Sequence, residues 1–182
     1  MRSIFLTALI SSACLLLASA PKAHAECLSA APCTNGPANS VELSQNGVEL
    51  SASIDQSAGE RSIARVTQEG QRNSAELRQT GAADAWLAQS GIGNVARLDQ
   101  RGELGAASQA VLRQIGDGNS LDLIQDGGGN DAALSQTGDG NTMGLSQIGG
   151  ANTATLDQLG SNLSIAISQT GGGAIAVSQT GP

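Results

Sequence analysis

The chain has 182 residues, a formal net charge of −7, and aromatic side chains at only 1% of its positions. An acidic chain is a poor partner for nucleic acid, because that binding depends on neutralising phosphates with Lys and Arg. Beyond residue 25 the chain has no His and no Lys, so the commonest general base is missing. The composition therefore excludes a nucleic-acid-binding module and argues against an enzyme.

The first 25 residues are organised like a secretory signal peptide. Arg2 supplies the positive charge at the start, an apolar run follows over residues 4–17, and Ala23-His24-Ala25 forms a small-residue cleavage signal. The apolar run is shorter than the about 20 residues that a transmembrane helix needs. The sequence therefore predicts that residues 1–25 are a signal peptide and that a secreted chain of residues 26–182 remains.

Residues 26–38 form a short tail rich in Ala, Pro and Asn, and they contain Cys27 and Cys33. In an oxidising compartment these two cysteines could close a small disulfide loop. A metal or redox pair is the alternative, and it is disfavoured because no His accompanies the two thiols. We interpret the segment as an N-terminal tail with a candidate Cys27–Cys33 disulfide.

From Gln45 onward a glutamine returns about every eleven residues, nearly always two residues before a glycine. A fixed short period is typical of a repeat architecture. Each unit is predicted to be a strand of about seven residues and a turn of about four, because glycine accommodates the positive φ of tight turns. The thirteen repeating glutamines are Gln45, Gln56, Gln68, Gln79, Gln89, Gln100, Gln114, Gln125, Gln136, Gln147, Gln158, Gln169 and Gln179.

Three other positions in each unit lie on the same strand face as the glutamine. The residue two before it is always aliphatic, the residue four before it is small or apolar, and the residue six before it is most often Asn. Buried amides need partners, and identical amides above and below supply both donor and acceptor. The sequence predicts stacked ladders of the thirteen glutamines and of Asn39, Asn73, Asn94, Asn119, Asn130, Asn141 and Asn152.

Charge on the opposite strand face indicates how the units stack. Like charges on neighbouring strands destabilise a sheet, and opposite charges favour the pairing. With two strands per coil, neighbours are about 22 residues apart, no like charges meet, and Trp86 points outward between Arg65 and Val111. The complementary pairs are then Glu42 with Arg65, Asp55 with Arg78, Arg78 with Asp99, Glu76 with Arg97, and Arg97 with Asp122.

We therefore predict an all-β fold, a parallel β-solenoid with two strands per coil. Thirteen units over residues 39–182 give about 6.5 coils, a cross-β arrangement of the amyloid type. Both ends of such a column present unpaired backbone groups, which are a template for another strand. No cap is evident in the sequence, because residues 174–179 stay apolar almost to the last residue.

The segment Gln68-x-Gly70-x-x-Asn73-x-Ala75-x-x-x-Gln79 resembles the curlin repeat, and residues 125–136 and 147–158 are equally similar to it. The resemblance implies a subunit of curli, the extracellular amyloid fibres that bacteria assemble for adhesion and biofilm matrix. It also implies partners: further copies of the chain, other curlin-type subunits, an outer-membrane secretion channel and a periplasmic chaperone. Residues 26–38 occupy the place of the family's secretion-targeting segment. We expect no cofactor and no metal.

Two alternatives remain open beside the fibre subunit. The first is a capped, monomeric β-solenoid adhesin or ligand-binding module. The second is a calcium-binding repeat, suggested by Gly-Asp-Gly-Asn at residues 116–119 and 138–141. Calcium-binding β-solenoid repeats have a nine-residue period with Asp in each turn, whereas this period is eleven and Asp is irregular.

Overall fold

The computed structural model describes residues 5–10, 13–17, 39–57, 61–103 and 105–181. The described chain is all-β and contains no helix, so no helix in it is long and apolar enough to span a membrane. Its strands are β1 (Phe5–Ile10), β2 (Ala13–Leu17), β3 (Asn39–Val48), β4 (Ser51–Ser57), β5 (Ser62–Gln71), β6 (Ser74–Thr80), β7 (Ala83–Ile92), β8 (Val95–Arg101), β9 (Ser108–Ile115), β10 (Ser120–Asp126), β11 (Asp131–Thr137), β12 (Thr142–Ile148), β13 (Thr153–Leu159), β14 (Ser164–Thr170) and β15 (Ala174–Thr180).

The repeat strands alternate between two parallel sheets as the chain coils. From β3 to β15, odd-numbered strands lie in an eight-stranded sheet and even-numbered strands in a seven-stranded sheet. Each repeat strand is hydrogen-bonded to the strand two places away along the chain. The thirteen strands therefore form six and a half coils of a parallel β-solenoid, which confirms the predicted fold and the two-strand coil.

The register aligns like with like along the column. Leu123 of β10, for example, pairs with Leu98 of β8 on one side and Leu145 of β12 on the other. Unequal repeat lengths are absorbed between strands, as in the turn before β9, where Glu103 and Ala106 form an isolated bridge. Because the turns take up the difference, the register continues unbroken past this insertion.

The core lies between the two sheets. Burial alternates along each interior strand, as in β13, where every second residue is buried. The aliphatic rows of both sheets join in one cluster, to which Leu77 and Leu123 contribute from one sheet and Val66 and Leu134 from the other. Each fully buried side chain of this size stabilises the fold by about 1.5–3 kcal/mol, so the stack of coils supplies the hydrophobic core that one coil lacks.

In most units the glycine two residues after the glutamine is required by the backbone. Gly70 has φ of 107°, and a Cβ placed on it would lie 2.1 Å from the carbonyl oxygen of Gly91 in the next coil. A side chain would therefore clash with the turn stacked on it, in addition to straining the backbone. The close approach of successive turns explains the Gln-x-Gly spacing.

Two strands come from the segment predicted to be a signal peptide. In the full chain β1 pairs with β4 and β2 pairs with β3, both in parallel, at the amino-terminal end of the column. Sequence analysis did not predict this pairing. Cleavage after residue 25 stays a prediction, and the tail with Cys27 and Cys33 lies outside the described residues.

Candidate assembly site: amide ladders and an open coil

The thirteen repeating glutamines lie in two continuous columns, one in each sheet. In every link the Nε2 of one glutamine donates to the Oε1 of the glutamine one coil further on, at 2.7–3.1 Å. Gln125 shows the interior case, because it is fully buried, accepts from Gln100 at 2.9 Å and donates to Gln147 at 2.9 Å. The columns leave interior amides with both a donor and an acceptor partner.

The glutamines also join the two sheets. Gln125 Nε2 donates at 3.0 Å to the carbonyl of Gln109, which belongs to the opposite sheet, and Gln68 does the same to Ser51. Removing one partner of such a buried bond costs about 1–3 kcal/mol, because the other partner stays buried without a hydrogen bond. One side chain therefore fixes both the vertical stacking and the position of the facing sheet.

The asparagines bond chiefly to backbone rather than to one another. Asn119 Oδ1 accepts the backbone N–H of Asn141 at 3.0 Å, and its Nδ2 donates to the Gly138 carbonyl at 2.7 Å. Both partners lie one coil further on, so each asparagine holds the turn stacked on it. Side-chain links between asparagines are present for Asn94 with Asn73 and for Asn152 with Asn130.

The asparagine rows are shorter than the glutamine columns. In the seven-stranded sheet Asn73, Asn94, Asn119 and Asn141 are consecutive, but the row begins at Leu50 and ends at Leu163. In the other sheet Asn130 and Asn152 are consecutive, whereas Asn39 has no asparagine next to it, and its Oδ1 accepts from the Ser62 N–H at 3.1 Å. The terminal coil therefore continues the glutamine columns without the asparagine rows.

The outward faces carry the charges in the predicted register. Glu42 pairs with Arg65 in an exposed ion pair of 2.6 Å, and Glu76 with Arg97 at 3.7 Å. Arg78 is the neighbour of Asp55 and Asp99 in register, but its ion pair within 4 Å is with Glu76 of its own strand. Trp86 lies between Arg65 and Val111 as predicted and is half-buried. These contacts define register more than they add stability.

Two turn aspartates form a ladder of their own. Asp117 Oδ1 accepts the backbone N–H of Ile92 at 2.8 Å, and Asp139 Oδ1 accepts that of Asp117 at 2.8 Å. These carboxylates thus hold turns together. In the described part of the chain no group of three or more His, Cys, Asp or Glu residues could hold a metal ion.

The last coil, β14 with β15, has the interior pattern but no strand above it in the described chain. Leu145 and Leu156 are buried, whereas Ile167 and Val177, which pair with them in register, are only partly buried against the core. The column therefore ends in an apolar row that matches the row beneath it. Unpaired strand edges flank this row. Chemically this end can accept another parallel strand.

Comparison with protein families agrees with this repeat. The model of the curlin associated repeat matches residues 36–70, 116–149 and 144–171, which together span half of the 182 residues. The chain belongs to the curlin family. No curated protein and no solved structure matches it. Residues 71–115 lie between the curlin matches, yet β6 to β9 keep the same coil and register there.

Sequence reasoning missed three features of this curlin solenoid. It predicted amide stacking for the asparagines, whereas their main partners are the backbone groups of the next turn. It did not foresee the bond from most of the glutamines to the opposite sheet, as in Gln125 to Gln109, or the aspartate ladder in the turns. Asp117 and Asp139 are 22 residues apart at equivalent turn positions. This spacing equals one coil, and it is the sequence signal that could have predicted the aspartate ladder.

Proposed function

We propose that this curlin-family chain is the structural subunit of an extracellular, curli-type amyloid fibre. Copies join end to end, so that the first coil of one chain continues the last coil of another. The observation that carries the proposal is the open coil at β14 and β15, where Ile165, Ile167, Ile175 and Val177 are half-buried in the rows that are buried elsewhere. Covering an apolar row removes its surface from water and drives association.

The cellular part of the proposal rests on family membership. Residues 1–25 direct export and are removed, and residues 26–38 target the chain to an outer-membrane channel while a periplasmic chaperone keeps it unfolded. Outside the cell the fibre supports adhesion and the biofilm matrix, with other curlin-type subunits as further partners. Mass analysis of the exported chain checks the first step, with Glu26 expected at its amino terminus.

The assembly step is tested by placing a carboxylate inside or outside the open row. Val177→Asp puts a charge where the next copy must pack, whereas Ser178→Asp puts the same charge on the exposed face of the same strand. We expect Val177→Asp to slow elongation from preformed wild-type seeds by about tenfold or more, because an unpaired charge would be buried in the joint. Ser178→Asp should stay within about twofold of wild type, as measured by thioflavin fluorescence.

The main alternative, a capped monomeric adhesin or ligand-binding module, predicts a different result. Wild-type residues 26–182 would then remain monomeric for days at neutral pH and would not respond to seeds. Such an outcome, or equal elongation rates for the two aspartate variants, would remove the fibre proposal.

A further inference from the structure

The glutamine columns have a direction. In each link Nε2 donates toward the carboxyl-terminal coil, and Oε1 accepts from the preceding coil, as in Gln125 to Gln147. Gln56 begins one column, is 1% exposed, and its buried Oε1 has no hydrogen-bond partner in the described structure. In the full chain its register partner is Ile10 of β1. A buried acceptor is therefore orphaned at the amino-terminal end of the column.

The matching donors lie at the other end. Gln179 closes its column by accepting from Gln158 at 3.0 Å, and no glutamine of the described chain lies above it. Gln169 ends the second column. It accepts from Gln147 at 3.1 Å, and its Nε2 donates to the carbonyls of Thr153 and Gly173. Gln79 Nε2 makes the equivalent bond to the Ala83 carbonyl and still donates to Gln100, so such a bond does not prevent a column from continuing. The carboxyl-terminal end of the solenoid therefore presents glutamine Nε2 donors, and the amino-terminal end presents glutamine Oε1 acceptors.

The number of repeat strands determines how these halves can meet. The thirteen strands from β3 to β15 are an odd number, so the first and the last lie in the same, eight-stranded sheet. The next strand position along the coil lies above β14, in the other sheet. A second copy in the same orientation would stack its β3 on β15 and leave the position above β14 empty; we call this the unturned joint. A second copy turned by half a turn about the column axis would place its β3 on β14 and its β4 on β15; we call this the turned joint.

The empty position of the unturned joint is unfavourable. It would leave β14 and the next copy's β4 as unpaired strand edges inside the column, where their backbone groups lack partners. It would also leave Gln56 Oε1 without a donor, since nothing would lie directly beneath it. The turned joint brings Gln179 Nε2 under Gln56 Oε1 and Gln169 Nε2 under Gln45 Oε1, which extends both columns without a break.

Building on the proposed end-to-end assembly, we propose that successive copies are related by a half turn about the column axis. The sheet that ends in β14 continues through the next copy's β3, and the sheet that ends in β15 continues through its β4. Each copy then occupies six and a half coils, or about 31 Å at about 4.8 Å per coil. The two outer faces of the fibre alternate from one copy to the next.

Side chains at the turned joint are compatible. The next copy's Val41 covers Ile165, and its Ile54 covers Val177, so apolar residues meet in the inward rows. The outward face offers no repulsion, because β14 and β15 carry no charged residue opposite Glu42 of the next copy.

The two strands of the predicted signal peptide occupy these joint positions in the full chain. β2 lies beside β3 and β1 beside β4, both parallel. The first coil therefore accepts a parallel strand at each of its edges. After removal of residues 1–25, β14 and β15 of the preceding copy take the places of β2 and β1.

Engineered disulfides distinguish the two joints. In the turned joint Ser44 of β3 stacks on Ser168 of β14, with Cα atoms about 4.8 Å apart, within the range that a disulfide spans. In the unturned joint Ser44 stacks on Ser178 of β15 instead. Ser168 and Ser178 are equivalent exposed serines of consecutive units, so the second pair is a matched control for the first. Both pairs are made in residues 26–182 with Cys27→Ser and Cys33→Ser.

We expect fibres of Ser44→Cys/Ser168→Cys to oxidise into covalent multimers on non-reducing gels, and fibres of Ser44→Cys/Ser178→Cys to remain monomeric there. Cross-linking of the second pair instead would overturn the half turn and leave end-to-end assembly intact. That result is expected if residues 26–38 supply a fourteenth strand, because the number of strands is then even. Absence of fibres from wild type and both variants would overturn the assembly itself, and the half turn with it.

A second experiment, which changes the number of repeat strands, tests the half turn without engineered cysteines. Deleting residues 142–152 removes one unit and leaves an even number of strands, whereas deleting residues 131–152 removes two and keeps the number odd. Electron cryomicroscopy of wild-type fibres should give a rotation between copies near a half turn, beyond any gradual twist of the column. The two-unit deletion should retain it and the one-unit deletion should lose it. A wild-type rotation near zero would refute the proposal.

Discussion

The interior coils and the last coil have nearly the same sequence pattern but a different environment. Leu145 and Ile167 occupy equivalent positions of β12 and β14 and pair in register, yet Leu145 is buried and Ile167 is only partly buried. The difference is the presence of a strand above β12 and its absence above β14 in the described chain. Burial of an aliphatic residue therefore depends on a coil stacked over it and not only on its own unit. A terminal unit forms only half of a packing site.

The largest effect is expected from truncating this pair of aliphatic residues. Leu145→Ala should lower the free energy of unfolding by about 2–5 kcal/mol, because it leaves a cavity in a closed core. Ile167→Ala should cost the monomer roughly half as much, since its side chain is already partly in water. The check is urea unfolding of freshly desalted monomer, followed by circular dichroism.

Assembly should remove the difference between the two alanine variants. Once a further copy covers β14, Ile167 becomes an interior residue, and both variants should lower the denaturant midpoint of fibre dissociation by similar amounts. If Ile167→Ala fibres dissociated at the wild-type midpoint, β14 would lie outside the joint, and the equivalence of the two coils would be wrong.

Sequence alone was sufficient for the parts of this fold that repeat. The 23-residue spacing of Glu42 and Arg65, about two repeat units, and the return of glutamine in every unit predicted the coil, because register requires only that equivalent side chains lie side by side. The partners of Asn119 could not be predicted in the same way. Its amide reaches the Gly138 carbonyl only because the turn above approaches closely, and turn geometry is not visible in a periodicity. The orphaned Gln56 Oε1 depends on what lies beneath the first coil, which no repeat unit specifies.

A second, smaller effect is expected from glycines in the turns. Gly138 has φ of 114°, and an added Cβ would lie 2.0 Å from the Gly160 carbonyl oxygen. Gly171 has φ of 79°, and a Cβ there would meet nothing within 4 Å in the described structure, which has no coil above it. Gly138→Ala should cost the monomer about 2 kcal/mol or more, from strain and collision together, whereas Gly171→Ala should cost about 1 kcal/mol from backbone strain alone.

The same pair sharpens the comparison when fibres form. In the proposed fibre the turn of the next copy would lie over Gly171, as that of Gly160 lies over Gly138, so Gly171→Ala should slow seeded elongation far more than its effect on the monomer suggests. Thioflavin kinetics at equal monomer concentration measure this. If Gly171→Ala elongated at the wild-type rate, that result would contradict a joint in which the turns stack closely.

The smallest effect is expected on the outward face, where the first coils carry ion pairs and the last coil carries no charge. Glu42→Ala removes the 2.6 Å contact with Arg65, but both side chains are about half exposed, so water and salt already screen the interaction. We expect a loss of less than about 1 kcal/mol in unfolding free energy, which raised salt should abolish. At the proposed joint Glu42 would also meet β14, which carries no charge, so the substitution should leave seeded elongation within about twofold of wild type. A large change in elongation would mean that charge, rather than the apolar row and the glutamine columns, selects the partner coil.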